Sequence, residues 1–175
     1  MQENSTQLIM VMGLPGSGKT YFASALANKI NGLHLNSDII RKQQHRHPQY
    51  TGKDKAQVYK MMYDQVHQAL KNRKKVIVDA TFSLDKYRQP FYELAENHHL
   101  GIKLVLIKSD EHTIAQRLQK KRRYSDADFS IYKKIKSEFE PLNLKHLTLN
   151  TDKLSLDEMI ARSMEFIRET STDDL

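Results

Sequence analysis

The feature that most constrains this chain is the octapeptide Gly13-Leu14-Pro15-Gly16-Ser17-Gly18-Lys19-Thr20. It stands between an unbroken apolar run, Leu8-Ile9-Met10-Val11-Met12, and a stretch in which Phe22, Leu26 and Ile30 recur every four residues. The run has the length of a buried strand and the recurrence has the period of a helix, so the octapeptide is a strand-to-helix turn. Three of the chain's six glycines fall inside it. Small residues let successive backbone N–H groups point into one concavity, and the helix that follows adds the positive end of its dipole; a phosphate group is the natural occupant. The pattern G-x-x-x-x-G-K-[ST] assigns the Lys19 ammonium to the β- and γ-phosphates of a nucleoside triphosphate and the Thr20 hydroxyl to magnesium. A purely structural turn has no need of lysine and threonine at those offsets.

The rest of the chain continues the alternation. Leu33-His34-Leu35-Asn36 reads as a second strand, Val76-Ile77-Val78 as a third, Lys103 to Ile107 as a fourth and His146 to Leu149 as the last. Between them, Val58, Met62, Val66 and Ala69-Leu70 mark one face of a helix from Asp54 to Asn72, and Tyr87, Phe91, Leu94 and His98 mark another. A further helix starts near Asp110, and one beyond Ser125 runs toward Phe139 and stops at Pro141. Ser155 and Glu158 form a capping-box pattern before a final helix with Leu156, Ile160, Met164 and Ile167 as its core face. The polar end, Thr170 to Leu175, is expected to fray. Strands separated by helical crossovers imply a mainly parallel sheet covered on both faces, a doubly wound α/β arrangement. No repeat or linker divides the 175 residues, which read as one domain.

In such a sheet ligands bind outside the carboxyl ends of the strands, and the other chemistry-bearing residues fall at that edge. Asp38 lies just past the second strand in Asn36-Ser37-Asp38-Ile39-Ile40-Arg41. A carboxylate there suits a general base for a phosphoryl acceptor, and Arg41 suits a grip on acceptor or phosphate. The plainer alternative is that Ser37 or Asp38 caps a helix and Arg41 is solvated. Asp79 ends the third strand, where a carboxylate reaches magnesium as a Walker-B-like residue does, unless it merely closes the strand. Arg88, nine residues later on a helix, either points back to the acceptor or is a surface arginine.

The formal net charge is +7. Between Arg117 and Lys136, eight basic residues (Arg117, Lys120, Lys121, Arg122, Arg123, Lys133, Lys134 and Lys136) stand against Asp126 and Asp128, so most of the excess sits in one segment. Residues 117–140 read either as a solvated face or as a helical lid that closes over a nucleotide, brings arginines to the transferring charge and excludes water. The positive balance admits anionic partners, nucleotides and nucleic acid among them. With no cysteine, a thiolate nucleophile, a disulfide framework and a Cys-based zinc site are excluded, and the compartment reads as reducing. Met1 to Gln7 has no basic start and the apolar run breaks at Gly13, which fits neither a signal peptide nor a membrane span. The expectation is a cytoplasmic protein without a membrane partner. His45, His47, His98 and His99 carry no metal assignment, and Tyr59 and Tyr63, one turn apart, read as packing residues.

Taken together, these motifs resemble the small P-loop kinases, a family that includes the 5′-kinase domain of polynucleotide kinase and the zeta-toxin-like and gluconate-kinase-like enzymes. The resemblance covers nearly the whole chain. It rests on the G-L-P-G-S-G-K-T loop, the S-D-x-x-R element at Ser37 to Arg41, D-A-T-F at Asp79 to Phe82 with Arg88 behind it, Gln116-Arg117-Leu118 at the lid entry, and the S-D-A-D run followed by Phe139-Glu140-Pro141. It implies a three-layer P-loop NTPase fold with a five-stranded parallel sheet and a helical lid, ATP with Mg2+, Asp38 as the base and Arg41 at the substrate. It also implies that Arg117 stacks on adenine while Arg122 or Arg123 touches phosphates. The lid departs from the pattern at Lys121, where related kinases often carry a second arginine four residues after the first.

Three functions fit these residues. The leading one is a kinase acting on a hydroxyl of a small metabolite, nucleoside or sugar derivative. The second is a polynucleotide 5′-hydroxyl kinase, suggested by the D-x-x-R element and the basic lid, and the third is an ATP-binding switch without an acceptor.

Overall fold

The computed structural model describes residues 7–44, 51–119 and 129–169. Five strands, β1 (Gln7–Met12), β2 (Leu33–Asn36), β3 (Lys75–Asp79), β4 (Ile102–Lys108) and β5 (His146–Asn150), form one sheet in the order β2-β3-β1-β4-β5. Every pairing is parallel. The apolar run Leu8 to Met12 takes the centre, where both faces of a strand are covered, and all five side chains are fully buried.

Alternation along β1 sorts the core into two layers. Leu8, Met10 and Met12 face α3 (Gly52–Lys71) and α4 (Asp85–Asn97), through Val58, Met62, Val66, Phe91 and Leu94. Ile9 and Val11 face α1 (Lys19–Ile30) and α7 (Leu156–Arg168), through Phe22, Leu26 and Met159. The result is the expected three-layer α/β arrangement of a P-loop NTPase. Thr51 caps α3 by accepting a hydrogen bond from the Asp54 N–H, and Ser155 and Glu158 close a reciprocal capping box on α7.

Two elements differ from the sequence expectation. The helix that stood only as the alternative setting for Ser37 and Asp38 is present: α2 (Ser37–Gln44) follows β2 without an intervening loop. Its cap is neither Ser37 nor Asp38: the Asn36 Oδ1 accepts from the N–H groups of Asp38 and Ile39, both at 3.0 Å. On α7 the buried face is Met159, Ser163 and Phe166, while Leu156, Ile160, Met164 and Ile167 lie half-buried beside it. Ser163 can go inside because its hydroxyl donates to the Met159 carbonyl at 2.8 Å, and its small volume lets the helix sit close. Apolar periodicity does not count a serine toward the core.

The basic segment is flanked by α5 (Glu111–Gln119) and α6 (Phe129–Glu138). Lys136 on α6 pairs with Glu111 on α5 at 2.5 Å. Among the described residues no helix is long and apolar enough to cross a membrane.

Candidate active site

The phosphate loop follows β1 at the carboxyl edge of the sheet. Gly13, Gly16 and Gly18 hold φ values of 152°, 88° and 95°, which L side chains rarely adopt. At Gly13 there is also no room: a Cβ would stand 2.4 Å from the Ile107 carbonyl oxygen at the end of β4. Gly18 starts α1 with no side-chain cap, and the first turn of α1 carries no acidic residue. The first N–H groups of that helix have no intrahelical partners, so the loop presents donors and a positive helix end to an anion.

Behind the loop, one asparagine joins three functional elements. The Asn36 Nδ2 donates to the Asp79 Oδ2 at 2.6 Å and to the Thr20 Oγ1 at 3.2 Å, while its Oδ1 holds the start of α2. These four bonds use the full capacity of a side-chain amide and fix which way it points. Asp79 is completely buried, and His34 Nε2 lies 3.2 Å from the same Oδ2. The other oxygen, Oδ1, is buried without a hydrogen-bond partner among the described residues. A carboxylate with one oxygen left open, joined through the Asn36 amide to a threonine hydroxyl, fits a magnesium ion, which takes hard oxygen ligands and completes its shell with water and phosphate. Thr20 and Asp79, expected at the metal from their places in the sequence, are thus brought together; Asn36 and His34 were not foreseen. The only sequence signal for Asn36 is a polar residue closing an otherwise apolar strand directly before the S-D-x-x-R element.

Asp38 and Arg41 project from α2 on the other side of the loop. Their side chains pair, Arg41 Nη1 donating to Asp38 Oδ1 at 2.5 Å. Burial raises the Asp38 pKa above the usual carboxylate range, and the charge of Asp79 adds to this, while Lys19 and Arg41 act against it. A carboxylate so placed is a better proton acceptor than an exposed one. Asp38, Arg41 and Lys19 all line a cavity of about 330 Å³, with walls from α3, α4 and α6. A second space of about 200 Å³ lies on the outer flank of the phosphate loop, lined by Gly16, Gly18, Lys19, Thr20, Tyr21 and Arg117. Lys19 therefore stands between the two.

Arg117 braces the loop. Its Nη1 lies 3.2 Å from the Gly16 carbonyl, 3.3 Å from that of Ser17 and 3.0 Å from the Thr151 hydroxyl, which itself donates to the Ser17 carbonyl. The lid arginines Arg122 and Arg123, with Lys120, Lys121 and the S-D-A-D run, lie outside the described residues.

Arg88 corrects the expectation that it reaches the acceptor. It is fully buried, and its guanidinium donates to the carbonyls of Phe82 (2.7 Å), Ser83 (3.1 Å), Glu140 (2.6 Å) and Pro141 (2.8 Å). Four of its five N–H donors are thereby used on backbone. Arg88 ties the loop after β3 to the segment after α6, and is absent from the lining of the cavity that Asp38 and Arg41 share. The same loop holds Phe82 at a φ of 48°, its N–H donating to the Tyr59 hydroxyl at 3.0 Å, and Tyr59 stacks on Tyr87 with ring centroids 4.4 Å apart. Tyr59 is a packing residue, as its spacing predicts.

Comparison with known proteins agrees with this geometry. A family model described as an AAA domain matches residues 8–142. Among solved structures, a sugar kinase from Janibacter sp. aligns with a TM-score of 0.73 at 17% identity over 92% of this chain and 94% of its own. A gluconokinase from Sinorhizobium meliloti aligns with a TM-score of 0.70 at 17% identity over 92% and 91%. The APS kinase CysC of Mycobacterium tuberculosis, in complex with AMPPNP and APS, aligns with a TM-score of 0.74 at 16% identity over 94% and 99%. No curated protein matches the sequence. With the family model covering well over half of its length, the chain belongs to this AAA-domain family and has the fold of the small P-loop kinases.

Proposed function

We propose that this chain is an ATP-dependent phosphotransferase that moves the γ-phosphoryl group onto a hydroxyl of a small metabolite, nucleoside or sugar derivative. The observation that carries the reading is the position of Lys19, shared between the phosphate loop's outer space and a cavity that also holds the paired Asp38 and Arg41. A nucleotide-binding switch has no need of a half-buried base facing a cavity that shares Lys19 with the phosphate loop.

In this reading the phosphate loop and Arg117 bind the nucleotide, and Asp38 receives the proton of the acceptor hydroxyl. The acceptor oxygen bonds to the γ-phosphorus as the bond to the β–γ bridging oxygen breaks, and ADP leaves with that electron pair. Lys19 neutralises the charge that collects on the bridging oxygen, and Arg41 orients Asp38. Magnesium held by Thr20 and Asp79 would supply further positive charge at the phosphate oxygens. Closing α6 over the cavity keeps water from the γ-phosphate.

Lys86 and Lys134, exposed at the rim of the cavity, favour a polynucleotide 5′-hydroxyl as the second reading. The two are separated by incubating the protein with γ-labelled ATP and magnesium against sugars, nucleosides and 5′-hydroxyl oligonucleotides. Label on a small acceptor supports the first reading. Label on oligonucleotides alone supports the second.

A further inference from the structure

The acceptor cavity holds more positive charge than phosphoryl transfer explains. Beyond Lys19 and Arg41, it is lined by Lys55 from α3, Lys86 from α4 and Lys134 from α6, with Glu138 as the carboxylate that faces them. Lys55 and Lys86 flank a single ring: their Nζ atoms lie 5.1 Å and 5.2 Å from the Tyr87 centroid. The Lys55 Nζ also donates to the Ser83 hydroxyl at 3.2 Å, and among the described residues Lys55 makes no ion pair.

This arrangement is unfavourable by itself. Burial, with Arg41, Lys86 and Lys134 nearby, pushes the Lys55 pKa down; Glu138 opposes this only in part. A ring face and one hydroxyl offset little of the loss of water around an ammonium group. The amino end of α3 faces the same cavity through Thr51 and Gly52, adding the positive end of a 20-residue helix. A lysine that only packed its stem would turn its head to water. Lys55 turns inward.

We infer that the acceptor carries an anionic group of its own, a phosphate, sulfate or carboxylate, and that Lys55 and Lys86 hold it while Asp38 faces the hydroxyl. The inference rests on the phosphotransferase reading above and narrows its substrate class. A cavity of about 330 Å³ is at the lower end of small-molecule sites, so the acceptor is a small anion rather than a polymer. Charge-assisted hydrogen bonds from the half-buried Lys55 and the exposed Lys86 to one anion would offset the poor setting of the Lys55 ammonium.

The test separates the anion subsite from the phosphate loop. With the loop saturated by Mg-ADP, inorganic sulfate is titrated calorimetrically into the wild type, Lys55→Gln and the surface variant Lys86→Gln. Saturable sulfate binding that weakens about tenfold in each variant, with ADP affinity unchanged, is expected. ADP binding without saturable sulfate binding, or sulfate binding equal in all three proteins, overturns the anion subsite alone. Failure of the wild type to bind Mg-ADP removes the phosphotransferase reading first, and this inference with it. In the transfer assay, a nucleoside 3′-monophosphate should show a lower KM than its nucleoside, and gluconate a lower KM than glucose, with each difference collapsing in Lys55→Gln and returning in Lys55→Arg. A 5′-hydroxyl oligonucleotide labelled at a lower KM than the nucleoside 3′-monophosphate would overturn the small-anion assignment.

Discussion

The phosphate loop draws its geometry from eight consecutive residues, whereas the acceptor cavity is assembled from side chains on α2, α3, α4 and α6. In the first, backbone does the recognising: three glycines with positive φ and the uncapped start of α1 make a donor array for which side-chain identity matters little outside Lys19 and Thr20. In the second, the backbone only supplies platforms, and recognition lies with Asp38, Arg41 and the lysines around them. Asn36 is the hinge between the two, since one amide bonds Thr20 and Asp79 on the nucleotide side and starts the helix that carries Asp38 on the other. Donor chemistry is therefore a local property of this chain, and acceptor chemistry is a tertiary one.

The largest expected effect is on the nucleotide side. Lys19→Ala should lower phosphoryl transfer by about a thousandfold with the fold intact, because it removes the charge that meets the breaking bond; stopped assays of γ-phosphate transfer beside circular dichroism check this. Near-normal turnover would detach the loop from catalysis. Next comes Arg88→Met, which strips four carbonyls, two of them buried, of charged donors and should reduce folding stability by about 3 kcal/mol or more, read from urea unfolding. Unchanged stability with a raised acceptor KM would return Arg88 to the acceptor.

Asp38→Asn should cost about a hundredfold in transfer while leaving ADP affinity unchanged. The pH profile sharpens the point. Transfer needs ionised Asp38, and burial raises its pKa, so kcat/KM should fall with decreasing pH at a higher value than for an ordinary carboxylate. Asp38→Asn should lack that acid limb; a limb that persists assigns it to another group. The smallest effect expected is for Asn36→Ala, a rise of about tenfold in the magnesium concentration needed for half-maximal activity, as for loss of a partner that orients a metal ligand. A loss confined to the acceptor KM would show that Asn36 serves α2 alone.

The comparison also explains what the sequence made legible. The three inner strands are readable because buried parallel strands are short apolar runs, the edge strands β2 and β5 by their alternating leucines, and the phosphate loop because its residues are contiguous. Asp38 and Asp79 were readable as positions, each at the carboxyl end of a strand. Their partners were not. The bonds of Asn36 to Thr20 and Asp79 span 16 and 43 residues, and those of Arg88 to Glu140 and Pro141 span 52 and 53, so no local pattern reveals them. Arg88 shows the hazard: its spacing from Asp79 suits an acceptor contact, yet its burial turns it into a structural clamp. The inward face of α7 escaped for a related reason, since Ser163 becomes a core residue only through its bond to the Met159 carbonyl.

The most direct test of the account is transfer of labelled γ-phosphate from Mg-ATP to an acceptor panel, run in parallel on wild type, Lys19→Ala and Asp38→Asn with ATP binding measured on each. The account predicts one labelled hydroxyl acceptor in the wild type, labelling slower by about a thousandfold in Lys19→Ala and about a hundredfold in Asp38→Asn, and full ATP affinity in Asp38→Asn. Tight ATP binding with no labelled acceptor, or labelling that survives Asp38→Asn undiminished, would contradict it.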